Sequence, residues 1–91
     1  MKQNKEYRIN TDFGILWMKL DNCKILSSVF MRFEEPFNLK AFQEKFSVHD
    51  FNLHSWKWNI HRNTQEDAML ELVDRLTNCG VEEETINKLG F

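Results

Sequence analysis

Two runs rich in β-branched and aromatic residues lie close together in this sequence, and they restrict its fold more than any other feature. The runs are ILWMKL (15–20) and KILSSVFMRF (24–33), with LDNC (20–23) between them. Asp and Asn tolerate the positive φ angles of a two-residue hairpin turn, so we predict that the chain turns at Asp21 and Asn22. The segment from 13 to 34 therefore predicts an antiparallel β-hairpin.

The predicted register divides this hairpin into two faces. Leu20 lies opposite Cys23, and the pairing continues from there along both strands. One face carries the residues that we predict to form the core: Leu16, Met18, Leu20, Cys23, Ile25, Val29, Met31 and Phe33. The second face mixes apolar and polar side chains: Phe13, Ile15, Trp17, Lys19, Lys24, Leu26, Ser28, Phe30 and Arg32.

The second face is too apolar for a surface that only contacts water. A sheet with one solvated face normally alternates apolar and polar residues along each strand. We therefore expect another part of the chain, or a partner protein, to cover this face. Aromatic anchors surrounded by cations are typical of binding surfaces. The candidate partner-binding residues are Phe13, Ile15, Trp17, Lys19, Lys24, Leu26, Phe30 and Arg32.

Capping residues and apolar spacing predict two helices. Asn38 can cap a first helix over about 38–48, and Phe37 and Phe42 are spaced for a hydrophobic staple across that cap. Thr64 begins the second helix in the variant capping box TQED, and Gly80 follows its end. One face of the second helix carries apolar residues at helical spacing: Met69, Leu72, Val73 and Leu76.

The remaining segments complete an α+β domain. WKWNIH (56–61) predicts a strand between the helices, and EEETINKL (82–89) predicts a final turn or short helix. EYRIN (6–10) is a candidate extra strand near the N terminus. We therefore predict a small antiparallel sheet with two helices, in the order β-β-α-β-α. Because 91 residues cannot support two cores, we expect one compact domain over 1–91.

The segment SWKWNIHR (55–62) supports two interpretations. Residues alternate between the faces of a strand, so Trp56 and Trp58 share one face, and we favour a half-buried strand with both tryptophans in the core. The alternative is a surface that stacks the bases of a single-stranded nucleic acid and binds its phosphates. The residues of that surface would be Trp56, Lys57, Trp58, His61 and Arg62.

The charge balance favours a protein partner over a nucleic acid. Twelve Lys and Arg residues against fourteen Asp and Glu residues give a net charge of −2. Nucleic-acid binders without sequence preference normally carry an excess of basic residues, because neutralisation of phosphates dominates their affinity. A local basic patch remains as a route to nucleic-acid binding. Formation of a homodimer is a third alternative, because open sheets can pair with one another.

The sequence contains no motif typical of catalysis or of cofactor binding. It lacks GxSxG, HExxH, a Walker loop and GxGxxG, and its three glycines cannot build a phosphate-binding loop. The spacing of His49, His54 and His61 does not resemble that of metal-ligand pairs. Cys79 lies near a helix C terminus, whose dipole raises the pKa of a thiol, so it is a poor nucleophile. We therefore predict a protein that is not an enzyme and needs no metal or cofactor.

Location and biological role are predicted from composition. The chain shows no signal peptide and no apolar run long enough to span a membrane, so we expect a cytoplasmic protein with Cys23 and Cys79 reduced. Nine Asn and eight Lys against two Ala indicate an AT-rich coding sequence, as in a low-GC bacterium or one of its phages or plasmids. We therefore predict a phage- or plasmid-type inhibitor or adaptor that blocks a larger protein through the second face of the hairpin.

Overall fold

The computed structural model describes residues 1–91 and contains a four-stranded antiparallel sheet and three helices. The strands lie side by side in chain order: β1 (Glu6–Thr11), β2 (Gly14–Asn22), β3 (Ser27–Phe33) and β4 (Ile60–Arg62). The helices are α1 (Leu39–Lys45), α2 (Gln65–Asn78) and α3 (Glu83–Asn87). The predicted α+β class is confirmed. The element order is β-β-β-α-β-α-α, because the N-terminal strand is present and the last segment forms a third helix.

The loop between β2 and β3 is longer than the sequence predicted. Strand β2 continues through both residues of the predicted turn, and Asn22 pairs with Ser27. Four residues therefore form the loop, and the backbone N–H of Cys23 donates to the carbonyl of Leu26 across it at 2.8 Å. The predicted two-residue turn is wrong.

The change of register leaves the predicted faces of the hairpin intact. Leu20 lies opposite Val29 instead of Cys23, which is a shift of six positions. Because side chains alternate along a strand, an even shift keeps each one on its own face. Six of the predicted core residues are buried: Leu16, Met18, Leu20, Val29, Met31 and Phe33. Cys23 and Ile25 are exposed in the loop, so their assignment to the core is wrong.

All three helices pack against the same face of the sheet. One cluster of buried apolar residues joins the inward side chains of the strands to Phe42 of α1, Leu72 of α2 and Ile86 of α3. Strand β1 contributes Ile9 to this cluster. The residues that alternate with the inward ones, such as Trp17, lie on the other face of the sheet. No helix covers that face.

Phe42 lies at the centre of a group of aromatic rings on the side of the sheet that the helices cover. Its side chain is completely buried, and the cap of α1 in front of it forms as predicted, with Asn38 accepting the backbone N–H of Ala41 at 3.1 Å. The Phe42 ring centroid is 4.6–5.7 Å from those of six other aromatic residues: Phe13, Phe33, Phe37, Phe46, Phe51 and Trp58. This group supplies much of the large apolar area that so short a chain needs for a core.

Helix α2 begins and ends at the predicted residues. The Thr64 hydroxyl accepts the backbone N–H of Asp67 at 3.2 Å, and Gly80 follows the helix with φ at +83°. An ion pair joins two successive turns of this helix, with Arg75 Nη2 2.7 Å from Glu71 Oε2. The Arg75 side chain is largely buried, and its guanidinium also donates to the Trp58 carbonyl at 2.6 Å. Burial lowers the pKa of Arg75, and the charge of Glu71 opposes this effect.

The strand predicted at 56–61 is shorter in the structure. Strand β4 begins at Ile60, and an isolated bridge between Lys57 and Arg32 extends its pairing with β3. Trp56 adopts a positive φ of 58°, which is incompatible with a β-strand. The alternation of side chains between the two faces of the sheet therefore ends before Trp56 is reached. The prediction that Trp58 belongs to the core is confirmed, since 2% of the residue is exposed.

Cys79 is buried after α2, and its environment makes the stability of the protein depend on pH. Burial, and to a lesser extent Asp12, raises the pKa of the Cys79 thiol to about 12, from an ordinary value of 9.0. Between these pH values the unfolded chain binds fewer protons than the folded chain. We therefore expect the free energy of unfolding to fall as the pH rises from 9 towards 12.

Urea unfolding of the wild type and of Cys79→Ala at several pH values between 8 and 11 would test this expectation, since both proteins share every other titrating group. The wild type should lose more stability than Cys79→Ala as the pH rises. Equal losses in the two proteins would contradict the prediction.

Candidate partner-binding surface

The uncovered side of the sheet brings together residues from all four strands. Arg8, Trp17, Arg32 and Lys57 lie next to one another in a row across the sheet. Lys19 and Phe30 are paired in the adjacent row. We call this surface the open face and define it by its main side chains: Arg8, Ile15, Trp17, Lys19, Phe30, Arg32, Lys57, Asn59 and His61.

Trp17 lies near the centre of the open face and is held in one orientation. Its indole Nε1–H donates to Glu6 Oε1 at 3.1 Å. The guanidinium carbon of Arg32 lies 4.8 Å from the ring centroid, in the range of a cation–π contact. The ring is half-buried between these neighbours. Because its orientation is already fixed, a partner could contact it with little loss of side-chain entropy.

Phe30 and Ile15 extend the apolar centre around Trp17. The Phe30 ring makes an edge contact with the imidazole of His61, with centroids 6.2 Å apart. His61 Nδ1 lies 2.8 Å from the hydroxyl oxygen of Ser28, which positions the imidazole. Phe30 is half-buried and Ile15 is 38% exposed. Apolar side chains at this exposure can bury further area against a partner.

The cations around this centre differ in how their charge is balanced. Arg8 pairs with Glu34 at 2.8 Å. Lys19, Arg32 and Lys57 form no ion pair within the chain, whose four salt bridges involve other cations. Four cations (Arg8, Lys19, Arg32 and Lys57) and two acids (Glu6 and Glu34) lie on this side of the sheet. The open face therefore carries local positive charge although the chain as a whole is negative.

Two cavities meet at Lys57 and Asn59. The smaller, of about 280 Å³, lies on the open face and is also lined by Trp17, Phe30 and Arg32. The larger, of about 500 Å³, lies at the edge of the sheet beside α2. Its charged side chains are three cations and two acids: Asp50, Lys57, Arg62, Glu71 and Arg75. The smaller cavity is lined by two cations, Arg32 and Lys57, and by no acid.

Five of the eight predicted partner-binding residues lie together on the open face: Ile15, Trp17, Lys19, Phe30 and Arg32. Lys24 and Leu26 lie in the β2–β3 loop, beyond the last pair of the two strands, because that loop is longer than predicted. Lys24 is exposed and Leu26 is half-buried.

The assignment of Phe13 to this face is wrong. Residues 12 and 13 form the turn between β1 and β2. This turn directs the Phe13 side chain to the side of the sheet that the helices cover. The ring packs in the core, 5.6 Å from Phe42 and 6.0 Å from Phe46 by ring centroid.

The residues of the nucleic-acid alternative are divided between different parts of the fold. Lys57 and His61 belong to the open face. Trp58 is in the core with the Arg75 guanidinium 4.4 Å above its ring, so it cannot stack a base. Trp56 is half-buried and packs 5.2 Å from Phe37 by ring centroid. Arg62 points towards α2, where its Nε lies 3.4 Å from Glu71. The Trp-rich segment therefore does not form one surface.

Arg8 and Asn59 belong to the open face but were not predicted as site residues. Alternation along EYRIN would have found Arg8 once that segment was paired with β2. Asn59 lies on the same face of its segment as Lys57 and His61. Its Oδ1 accepts the backbone N–H of Met31 at 3.0 Å. This contact between β3 and the segment before β4 has no signal in the sequence.

Comparisons with family models, with curated proteins and with solved structures find no match to this chain. The structure contains no cluster of three or more His, Cys, Asp or Glu side chains suited to a metal ion. None of its helices has the length and apolar character that crossing a bilayer requires. A function must therefore be inferred from the open face itself.

Proposed function

We propose that this chain is a small non-enzymatic domain that binds a partner protein through its open face. The observation that supports this best is the apolar centre formed by Ile15, Trp17 and Phe30, on a sheet whose helices all pack on the opposite side. Aromatic and arginine side chains are enriched in protein interfaces, and binding hot spots cluster near interface centres. We further propose a cytoplasmic phage- or plasmid-type inhibitor or adaptor that blocks a site on a larger protein; the coding composition supports this.

Binding of a single-stranded nucleic acid through the same face is the less favoured alternative. Four-stranded antiparallel sheets can bind RNA by stacking bases on exposed aromatic rings. Here Arg32 lies over the ring of Trp17, and His61 packs against Phe30. Both contacts leave less ring surface for a base, and the net charge of −2 opposes long-range attraction to phosphates.

Phe30→Asp is expected to abolish capture of the partner while the domain remains folded. The substitution removes a ring from the apolar centre. It also places a carboxylate opposite Lys19 and beside Arg32 and Lys57, so a partner would lose both the apolar contact and access to these cations. The test is affinity capture by the tagged protein from the lysate of an AT-rich bacterium, with and without nuclease. A protein band that survives nuclease and is absent with Phe30→Asp is the expected result. Circular dichroism of the variant checks its fold.

The matched control is Leu70→Asp, which changes a 64% exposed residue on α2, away from the open face. This variant should capture the partner normally. A band that nuclease removes would favour the nucleic-acid alternative, and a band of the chain itself would favour a homodimer. Loss of folding in Phe30→Asp would show that Phe30 belongs to the core.

A further inference from the structure

Arg32 and Lys57 form an unfavourable pair on the open face. They lie directly opposite each other in the bridge between β3 and the segment before β4. Like charges in this position destabilise an antiparallel sheet. No acidic side chain of the chain pairs with either of them, since all four salt bridges lie elsewhere. The fold therefore keeps two cations side by side, neither of which has a direct ion-pair partner in the chain.

The 280 Å³ cavity next to this pair offers hydrogen-bond donors and apolar walls, and it has no acidic lining residue. The Arg32 guanidinium and the Lys57 ammonium supply charge. Asn59 uses its carbonyl oxygen to accept the Met31 N–H, so its NH₂ group is the part that remains to bind a ligand. Trp17 and Phe30 form the apolar walls. This combination fits an anion carried on a short apolar stem.

We propose that this cavity, the anion cup, binds the carboxylate of an Asp or Glu side chain of the partner protein. The inference rests on the proposed function and specifies the chemistry of the partner. Arginine binds carboxylates through two parallel hydrogen bonds, and the CH₂ groups of the acidic residue would contact the walls. A cavity of about 280 Å³ has room for one or two side chains.

The contacts of Trp17 and Phe30 favour a protein carboxylate over the phosphate of a nucleic acid as the ligand of the anion cup. A nucleotide in the anion cup would have to place its base against Trp17 or Phe30, and Arg32 and His61 already contact these rings. An acidic side chain needs only the walls beside it. The cations in turn would gain the counterion that the chain itself does not provide.

The test is an NMR titration of the ¹⁵N-labelled full chain at low salt. The probes are a short glutamate-rich peptide, the same peptide with glutamine at each glutamate, and a thymidine oligonucleotide of equal length. We expect saturable shifts around Trp17, Arg32 and Lys57 with the glutamate peptide. The glutamine peptide should bind at least about tenfold more weakly, because it lacks the charges that close ion pairs require.

The double variant Arg32→Gln/Lys57→Gln should weaken binding of the glutamate peptide by about tenfold or more. Lys40→Gln removes a charge from the exposed side of α1, on the opposite side of the sheet, and should change the affinity by less than about twofold. The proposal fails if the two peptides bind equally, if the double variant binds as the wild type does, or if no peptide gives a saturable shift. Tighter binding of the oligonucleotide would assign the anion cup to nucleic acids instead.

Lys57→Glu provides a second, independent readout. It places an acid opposite Arg32 and so supplies this arginine with a counterion from within the chain, which should abolish binding of the glutamate peptide. Peptide binding that persists would overturn the inference.

Failure of this inference can be told apart from failure of the proposed function. If the partner captured from the lysate is lost with Phe30→Asp but retained by Arg32→Gln/Lys57→Gln, the open face binds a protein without using the anion cup. If both variants retain the captured protein, the proposed function itself is wrong.

Discussion

Phe42→Ala is expected to lower the free energy of unfolding by about 3–5 kcal/mol, the largest change in stability that we predict for a single substitution. Phe42 is completely buried, and its ring contacts six other aromatic rings. These large rigid neighbours cannot close the cavity that alanine would leave. Because domains of this size have a total stability of about 5–15 kcal/mol, the variant should be close to unfolding. Urea unfolding followed by tryptophan fluorescence and circular dichroism measures the change.

The matched control makes the same chemical change on the other side of the sheet. Phe30→Ala also removes a phenyl ring, but this ring is half-buried on the open face and its loss leaves no internal cavity. We expect a cost of about 1 kcal/mol or less. A loss as large as that of Phe42→Ala would mean that Phe30 is part of the core and that the open face is covered.

Trp17→Ala is expected to weaken binding of the partner by at least about 30-fold, or about 2 kcal/mol. Trp17 has the largest side chain on the open face, lies in its central row, and is held by Glu6 and Arg32 before any partner arrives. Binding would therefore gain the contact area of the ring without ordering it. Calorimetric titration of the captured partner with wild type and variant measures the change.

Two further variants show which property of Trp17 matters. Trp17→Phe keeps an aromatic ring but loses the N–H group that binds Glu6, so it should fall between the wild type and Trp17→Ala. Leu70→Ala truncates an exposed apolar side chain on α2 and should bind normally. Unchanged affinity in Trp17→Ala would rule out the ring as the anchor of the interface.

Local signals were sufficient to predict several parts of this fold. The caps at Asn38 and Thr64 and the glycine after α2 depend on side chains and backbone groups a few residues apart. The inward faces of β2 and β3 depend only on the alternation of residues along a strand. Five residues of the open face followed from that alternation, even though the predicted register was six positions away from the real one.

Interactions between distant segments account for the errors. The two residues of the predicted turn have turn propensity, but β3 pairs with them as part of β2 and moves the loop to the next four residues. Phe13 continues the alternation of β2 in the sequence, yet the turn before β2 directs it into a core built by α1. Trp56 and Trp58 are only two residues apart, but the positive φ of Trp56 gives them different environments.

The sequence by itself determined the class of fold, the two faces of the hairpin and the ends of α2, because each depends on periodicity or on neighbours along the chain. The tertiary structure alone decided that one face stays uncovered, and that Arg32 meets Lys57 beside Trp17 to form the anion cup. That meeting joins β3 to the segment before β4, which comes from a separate part of the chain. Their register is set by how the whole core packs, which no local pattern of residues encodes.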